Sequence, residues 1–398
     1  VGYDLPVTRV RTGLDRLVAD PVLLAGRRWA LLANQAAVTA GLEPARAALA
    51  AVAGPPEVLF APEHGLDGVA QDMEAVADEA DPLTGVPVRS LYGSDAGSLA
   101  PEPGELEGLD VLVVDLPDIG SRYYTFAATM DLAMGAASAA GVEVLVLDRP
   151  NPITGRHREG GLVREGFASF VGRVPVPARH GLTLGEIALL LHRERHSGLD
   201  LTVLACEGWR RGMWWEATGL PWVPPSPNMP TPETALLYPG LCLVEGTELS
   251  EGRGTTRPFH LVGAPGIDPF RLVEALRDLG LPGAGFRPAR FRPMFGKHAG
   301  RVCGGVELFV LHREAIRPVE LGLRLLATIH DLFPEAFRWR ERPYEFVADV
   351  PAIDLLTGSD EARRRIDAGE PLEPLLAAWR EEVAAFESRL EGVLLYRK

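Results

Sequence analysis

With 398 residues, 46% of them hydrophobic, the chain carries enough apolar material for two domains, or for one large domain with a satellite. Its 40 basic and 54 acidic residues leave a net charge of −14, which argues against a nucleic-acid partner, because that needs a basic face. No apolar run approaches the ~18–20 residues of a membrane span, and the three cysteines, Cys206, Cys242 and Cys303, have no spacing of a disulfide framework or a zinc site and read as buried, inert thiols.

In chain order, an entry segment with a short helix near Leu14 to Ala19 leads into a strand from Arg27 to Ala33. A helix from Pro44 to Ala53 follows, then a strand ending at Ala61, a turn at Thr84-Gly85 and a strand from Val86 to Tyr92. Leu109 to Leu116 is a strand, Ser121 to Ala140 a long helix, and Val142 to Leu147 a strand. Short apolar runs alternating with helical stretches predict a parallel α/β sheet with helices on both faces, a Rossmann-like arrangement. Thr183 to Glu194 is a helix with Thr183 as N-cap and Glu186 placed for a capping box. Leu201 to Ala205 is a further strand, and the apolar run Tyr238 to Glu245 reads as another. Beyond it, helices at Asp268 to Leu279, Leu321 to Leu332 and Glu373 to Leu390 flank strand-like runs at Phe286 to Phe291 and Val302 to Leu311. The boundary falls near residue 260: a catalytic domain over 1–260 and a smaller α+β auxiliary domain over 261–398.

Several strands end in residues able to do chemistry, and ligands of an open parallel sheet bind at the carboxyl ends of its strands. Glu63 and His64, between Pro62 and Gly65, supply a general acid or nucleophile, the alternative being a polar turn with Glu63 in solvent. Asp118, Arg122, Tyr123 and Tyr124 open the long helix, where Asp118 orients a partner or caps the helix and the tyrosines meet a sugar face or fill the core. Arg149 and Asn151 lie in a proline-stiffened turn that is either functional or an Asx turn. Glu159 or Glu165 can supply a second carboxylate, and His180 can contact substrate or act with a carboxylate. Asn228 is displayed by Ser226-Pro227-Asn228-Met229-Pro230, and Glu245 leads into a glycine-rich loop carrying Arg253, a combination suited to holding an anion. The first strand has no Gly-x-Gly-x-x-Gly turn and no Walker loop is present, so no nucleotide cofactor is expected. No His or Cys spacing matches a metal site, so no metal is expected.

These segments together resemble the exo-β-N-acetylmuramidases, a bacterial glycoside hydrolase family of peptidoglycan turnover formerly described only as a domain of unknown function. The resemblance rests on Phe60-Ala-Pro-Glu-His-Gly65, Asp118-Ile-Gly-Ser-Arg-Tyr-Tyr-Thr125, Leu147-Asp-Arg-Pro-Asn-Pro152, Ser169-Phe-Val-Gly172, Arg179-His-Gly-Leu-Thr183, Pro225-Ser-Pro-Asn-Met-Pro-Thr231 and Glu245-Gly-Thr through Ser250-Glu-Gly-Arg-Gly-Thr255, in order over about 200 residues, with Leu394-Leu-Tyr396 at the end. Pro117 departs from the pattern, standing where Gln is expected.

The resemblance implies a Rossmann-like domain bearing the active site, a C-terminal auxiliary domain, and release of terminal N-acetylmuramic acid from the non-reducing end of peptidoglycan fragments. It implies Glu63 as catalytic acid and Glu159 as second carboxylate, with His64, Asp118, Arg122, Tyr124, Arg149, Asn151, His180, Asn228, Glu245 and Arg253 binding substrate. Glycoside hydrolysis uses two carboxyl groups and no cofactor, although an N-acetyl sugar can use its own acetamido group as nucleophile. The lactyl carboxylate of muramic acid calls for a local cation in this acidic protein, and Arg253, Arg122 and Arg149 are the candidates. Two other classes compete: a metal-dependent hydrolase or esterase built on His64, Asp118 and His180, and a non-catalytic cell-wall sugar-binding protein. The expected compartment is the periplasm or the exterior with any signal segment removed, with the cytoplasm as alternative.

Overall fold

The computed structural model describes residues 9–71 and 73–397, so the first part of the entry segment lies outside the described residues. Among the described residues the strands are β1 (Trp29–Ala33), β2 (Val58–Ala61), β3 (Glu79–Ala80), β4 (Pro87–Ser90), β5 (Val111–Asp115), β6 (Glu143–Leu147), β7 (Leu201–Leu204), β8 (Leu261–Ala264), β9 (Ala284–Phe291) and β10 (Cys303–Val310). The helices are α1 (Gly13–Ala19), α2 (Ala45–Ala53), α3 (Phe126–Ala140), α4 (Leu184–Glu194), α5 (Pro232–Leu241), α6 (Pro269–Asp278), α7 (Pro318–Leu332), α8 (Ala352–Thr357), α9 (Glu361–Asp367) and α10 (Glu373–Ser388). Among the described residues no helix is long and apolar enough to cross a membrane.

The large sheet runs β3-β4-β2-β1-β5-β6-β7, parallel throughout except for the short β3 at its edge. Taking the six parallel strands by themselves, this is the doubly wound Rossmann order, with its reversal between β1 and β5. The strands read as unbroken apolar runs because both faces are covered. On β1, Ala30 and Leu32 face one core while Trp29, Leu31 and Ala33 face the other. On β5 the same alternation separates Leu112 and Val114 from Val111 and Val113. Helices α1 and α2 contribute Leu14, Leu17 and Leu49 to one layer, and α3 and α4 contribute Met130, Met134, Ile187 and Leu191 to the other.

The capping box at Thr183 and Glu186 forms as expected. The acid of the Asp148 turn serves the same joint: its carboxylate accepts from Gly185 N (2.8 Å) and Thr183 Oγ (2.7 Å) and is met by the Tyr396 hydroxyl, tying β6, α4 and the C-terminal segment together.

Two expectations are corrected, and several short elements were not expected. The long helix begins at Phe126, not Ser121; Ser121 pairs with Arg179 in an isolated bridge instead. The run Tyr238 to Glu245 is not a strand but the end of α5 followed by a 3-10 turn at Cys242–Gly246. Thr231 caps that helix and Pro232 occupies its first turn, and the run is apolar on every side because it is buried on every side. Strand β8 and helices α8 and α9 are short, and no periodicity announced them.

The second sheet, β8-β10-β9, is antiparallel, with α6 packed on it and α7 against α6 and α5. Helices α5 and α7 cross at Gly240 and Gly322; a Cβ on Gly240 would stand 1.7 Å from the Pro318 carbonyl oxygen. That close crossing brings the glycine-rich loop after α5 over the carboxyl ends of the large sheet.

Candidate active site

Strand β2 delivers Glu63 to a sharp turn. Gly65 N–H donates to Pro62 O (3.0 Å), and His64 and Gly65 both take left-handed backbone angles, φ +73° and +80°. Such a conformation costs a non-glycine residue about 1–2 kcal/mol and is concentrated where function requires it. Both Glu63 and His64 are buried. Glu63 Oε2 accepts from the Thr125 hydroxyl at 2.7 Å, and Oε1 receives a longer bond from Met73 N at 3.4 Å. Thr125 makes no capping bond to α3; its hydroxyl is committed to Glu63 instead. His64 Nδ1 donates to Ala70 O (2.9 Å), which leaves Nε2 of the neutral ring as an acceptor.

The facing wall comes from the later part of the chain. Arg253 Nη1 donates to Glu245 Oε1 (2.8 Å) and Glu251 Oε1 (3.2 Å), and the guanidinium lies over the Phe259 ring. The Tyr344 hydroxyl donates to Glu245 Oε2 (2.8 Å), so both oxygens of Glu245 are held. Burial opposes the charge on Glu251, but Lys297 at 3.0 Å and Arg253 overcome it and bring its pKa down to about 2. Glu345, φ +46°, accepts from the Tyr92 hydroxyl. Burial, reinforced by the charges of Glu63 and Asp118, holds the Tyr124 phenol well above its ordinary pKa, so at neutral pH it is a donor.

Together these walls form a cleft lined on one side by Glu63, His64, Tyr124 and Asn228 and on the other by Glu245, Arg253, Tyr344 and Glu345. Three carboxylates and one arginine line it, and among the described residues no other Lys or Arg does.

Of the residues singled out from sequence, the structure therefore brings together Glu63, His64, Tyr124, Asn228, Glu245 and Arg253. Asn228 Nδ2 is steadied by Gln71 Oε1 at 3.0 Å. Asp118 and Arg149 line a neighbouring hollow, with Arg149 clasped by Asp115 through Nε (2.5 Å) and Nη2 (2.8 Å). His180 is fully buried behind Asp118, Nε2 to Oδ2 3.2 Å, and does not line the cleft. Besides His180, two further substrate-binding assignments are corrected. Arg122 spends its guanidinium on the carbonyls of Gly161, Val176 and Leu356, and Asn151 makes an Asx-type turn with Ile153 N and bonds Leu182 O. Both are interior braces. Thr125, Ser226, Tyr344 and Glu345 were missed. The first two lie inside quoted motifs but do no chemistry alone, and Tyr344 and Glu345 sit in a loop without apolar periodicity.

Glu159 is not placed with Glu63. It lines a separate hollow with Arg158, Arg317 and Trp379, and its Oε1 accepts from Glu320 N at the start of α7 (2.7 Å). Burial, opposed by that hydrogen bond and by the Arg179 charge, pushes its pKa from 4.5 up to about 7. Below pH 4.5 it is protonated folded or unfolded and costs nothing. Between pH 4.5 and about 7 the unfolded chain ionises while the folded carboxyl stays protonated, so stability falls, by roughly 3 kcal/mol once the folded carboxyl is charged. Glu159→Gln, which keeps the acceptor for Glu320 N, is thus expected to raise Tm at pH 8, to leave it unchanged at pH 4, and to keep turnover within about twofold. A hundredfold loss of turnover would return Glu159 to the chemistry.

Among the described residues no group of three or more His, Cys, Asp or Glu side chains is arranged to hold a metal ion. The imagined His64–Asp118–His180 set does not converge, since His64 lines the cleft and His180 does not. Turnover is expected to withstand EDTA; activity lost on chelation and restored by one metal per chain would contradict this.

A cleft at the strand ends of a Rossmann-ordered sheet that brings the carboxyl groups of Glu63 and Glu245 together has the composition of a hydrolase site. The N-terminal model of the exo-beta-N-acetylmuramidase NamZ family matches residues 29–233, and its C-terminal model matches 236–396. A relative from Bacillus subtilis (strain 168), the peptidoglycan beta-N-acetylmuramidase NamZ, is 42% identical over 393 residues, covering 98% of this chain and 92% of that protein. Two crystal structures of DUF1343 family proteins from Bacteroides fragilis NCTC 9343 share the fold. One has a TM-score of 0.86 at 32% identity, covering 98% of this chain and 99% of that one. The other has a TM-score of 0.76 at 28% identity, covering 98% and 100%. The chain belongs to the exo-β-N-acetylmuramidase family of glycoside hydrolases.

Proposed function

We propose that the protein hydrolyses the glycosidic bond of a terminal, non-reducing N-acetylmuramic acid in peptidoglycan fragments, with Glu63 as proton donor. The observation that carries this reading is the hydrogen-bonded placing of Glu63 on Thr125, opposite Glu245 in one cleft. As general acid, Glu63 gives its carboxyl proton to the bridging oxygen as the bond to the anomeric carbon breaks, the charge developing on the sugar faces Glu245, and water then adds to the anomeric carbon and returns a proton to Glu63. Arg253 and Tyr344 hold Glu245 in one orientation, which suits it to stabilise that charge or to orient the acetamido group if the substrate supplies its own nucleophile. A muramyl sugar brings a lactyl carboxylate into a cleft already carrying three acidic side chains, and Arg253 is the group there that offsets it. His64 Nε2 and the Tyr124 phenol offer an acceptor and a donor for ring hydroxyls.

Product analysis tests the reading. Incubation with a muramyl-terminated glycan should release free N-acetylmuramic acid one residue at a time and leave a glucosaminyl terminus. Internal cuts, or no free muramic acid, would contradict it.

A further inference from the structure

The second sheet meets the wall of the cleft at the loop that joins β9 to β10, residues 292–302. This loop lies on the glycine-rich loop that carries Arg253. Met294 N donates to Gly254 O (2.8 Å), and a Cβ on Gly254 would stand 2.6 Å from the Phe295 carbonyl oxygen, so the two backbones touch where a side chain would not fit. His298, φ +57°, donates from Nε2 to Glu248 O (2.8 Å). Between these anchors Lys297 turns inward. Its Nζ donates to Val244 O (3.1 Å) and to Glu251 Oε2 (3.0 Å), and its side chain is about nine-tenths buried.

Neither Lys297 nor Glu251 lines the cleft. Arg253 connects them to it: its Nη1 donates to Glu251 Oε1 (3.2 Å) and, more closely, to Glu245 Oε1 (2.8 Å). The row Lys297, Glu251, Arg253, Glu245 alternates in sign, and these four charges balance. Burial opposes the charge on Glu251, but Lys297 first and Arg253 second bring its pKa down to about 2, so it is an anion at neutral pH. A buried anion needs a counter-charge. Lys297 supplies one to Glu251 from behind, which leaves Arg253 to Glu245 and to an anion entering the cleft. Without Lys297, the Arg253 guanidinium is the one cation of the row, divided between two buried carboxylates before the substrate adds a third.

We propose that Lys297 is a positioning residue that sets selectivity for the lactyl carboxylate: by neutralising Glu251 it keeps Arg253 directed at Glu245 and at the anion of the substrate. The proposal rests on the muramidase reading of the cleft. It gives the β9–β10 loop a part in substrate choice although Lys297 lies outside the cleft.

The test uses two inhibitors of the hydrolysis of an aryl N-acetylmuramide: N-acetylmuramic acid, and the same sugar with its lactyl carboxylate converted to an amide. Lys297→Met should raise the inhibition constant of the acid about 5–30-fold, the size expected of one unbalanced charge near the anion of the ligand. It should change the inhibition constant of the amide, and kcat, by less than about threefold. Adding Glu251→Gln removes the anion that Lys297 balanced, so Lys297→Met/Glu251→Gln should recover most of the lost affinity for the acid. A lysine that only braced the loop would act otherwise. Acid and amide would then weaken equally, and the double variant, which still lacks the bond to Val244 O, would recover nothing; either result overturns the proposal. The double variant buries no unbalanced charge of this row, so its comparison with the wild type decides the matter even where the single variant fails to fold. Affinity for the acid close to that of the wild type supports charge balance, and equal weakening of acid and amide overturns it. Failure of the muramidase reading looks different, since the wild-type protein then does not turn over the aryl muramide.

Discussion

Replacing Glu63 by Gln is expected to cut hydrolysis of an aryl N-acetylmuramide by ~10²–10⁴-fold, the range general acid–base catalysis supplies. The substitution is nearly isosteric and keeps an oxygen to accept from the Thr125 hydroxyl, so fold and sugar binding should persist. What disappears is the exchangeable proton. Unchanged Tm and near-normal affinity for N-acetylmuramic acid would separate a chemical loss from a folding loss. If the folded variant retains more than about a third of the wild-type rate, which exceeds any residue of the ~10²-fold effect, the proton comes from another group. Thr125→Val, which removes the donor but not the acid, should cost much less.

The second large effect is expected at Arg253. Arg253→Ala removes the cation that Glu245 and Glu251 share, all three side chains being about nine-tenths buried. Breaking a buried ion pair from one side costs about 3–5 kcal/mol; the Glu251–Lys297 bridge and the Tyr344–Glu245 bond remain and place this loss at the lower end. On catalysis, a charge-assisted bond to the lactyl carboxylate is worth ~1.5–3 kcal/mol, about 10–150-fold in kcat/KM on a muramide. The matching N-acetylglucosaminide has no lactyl group and should lose much less. Proportional losses equal on the two substrates would mean that Arg253 acts only by bracing Glu245.

The large sheet was legible in the sequence because each central strand is covered on both faces and so appears as an uninterrupted apolar run. The Thr183 cap was legible for the same local reason: it announces α4 a residue before the helix begins. Where burial surrounds a segment, periodicity carries no sign of its type, and the run from Tyr238 onward was misread for that reason. The cleft was half legible. Glu63 and His64 stand directly at a strand end, and Glu245 and Arg253 flank a glycine-rich loop. Glu159 looked equivalent, a carboxylate beside two glycines, but its direction is set by contacts with α7 and α10 that lie far along the chain. Arg122 and Asn151 illustrate the converse. Each sits amid chemistry-capable residues, and only the carbonyls that surround them in three dimensions show that their polar groups are consumed by the fold.

The most direct test of the account is a crystal structure of Glu63→Gln soaked with a muramyl-glucosamine disaccharide. The account predicts the muramyl ring in the cleft between Glu245 and residue 63, with the bridging oxygen within hydrogen-bond distance of the residue 63 side chain and the lactyl carboxylate toward Arg253. A muramyl ring bound elsewhere, or in the cleft with its glycosidic oxygen turned away from residue 63, would contradict it.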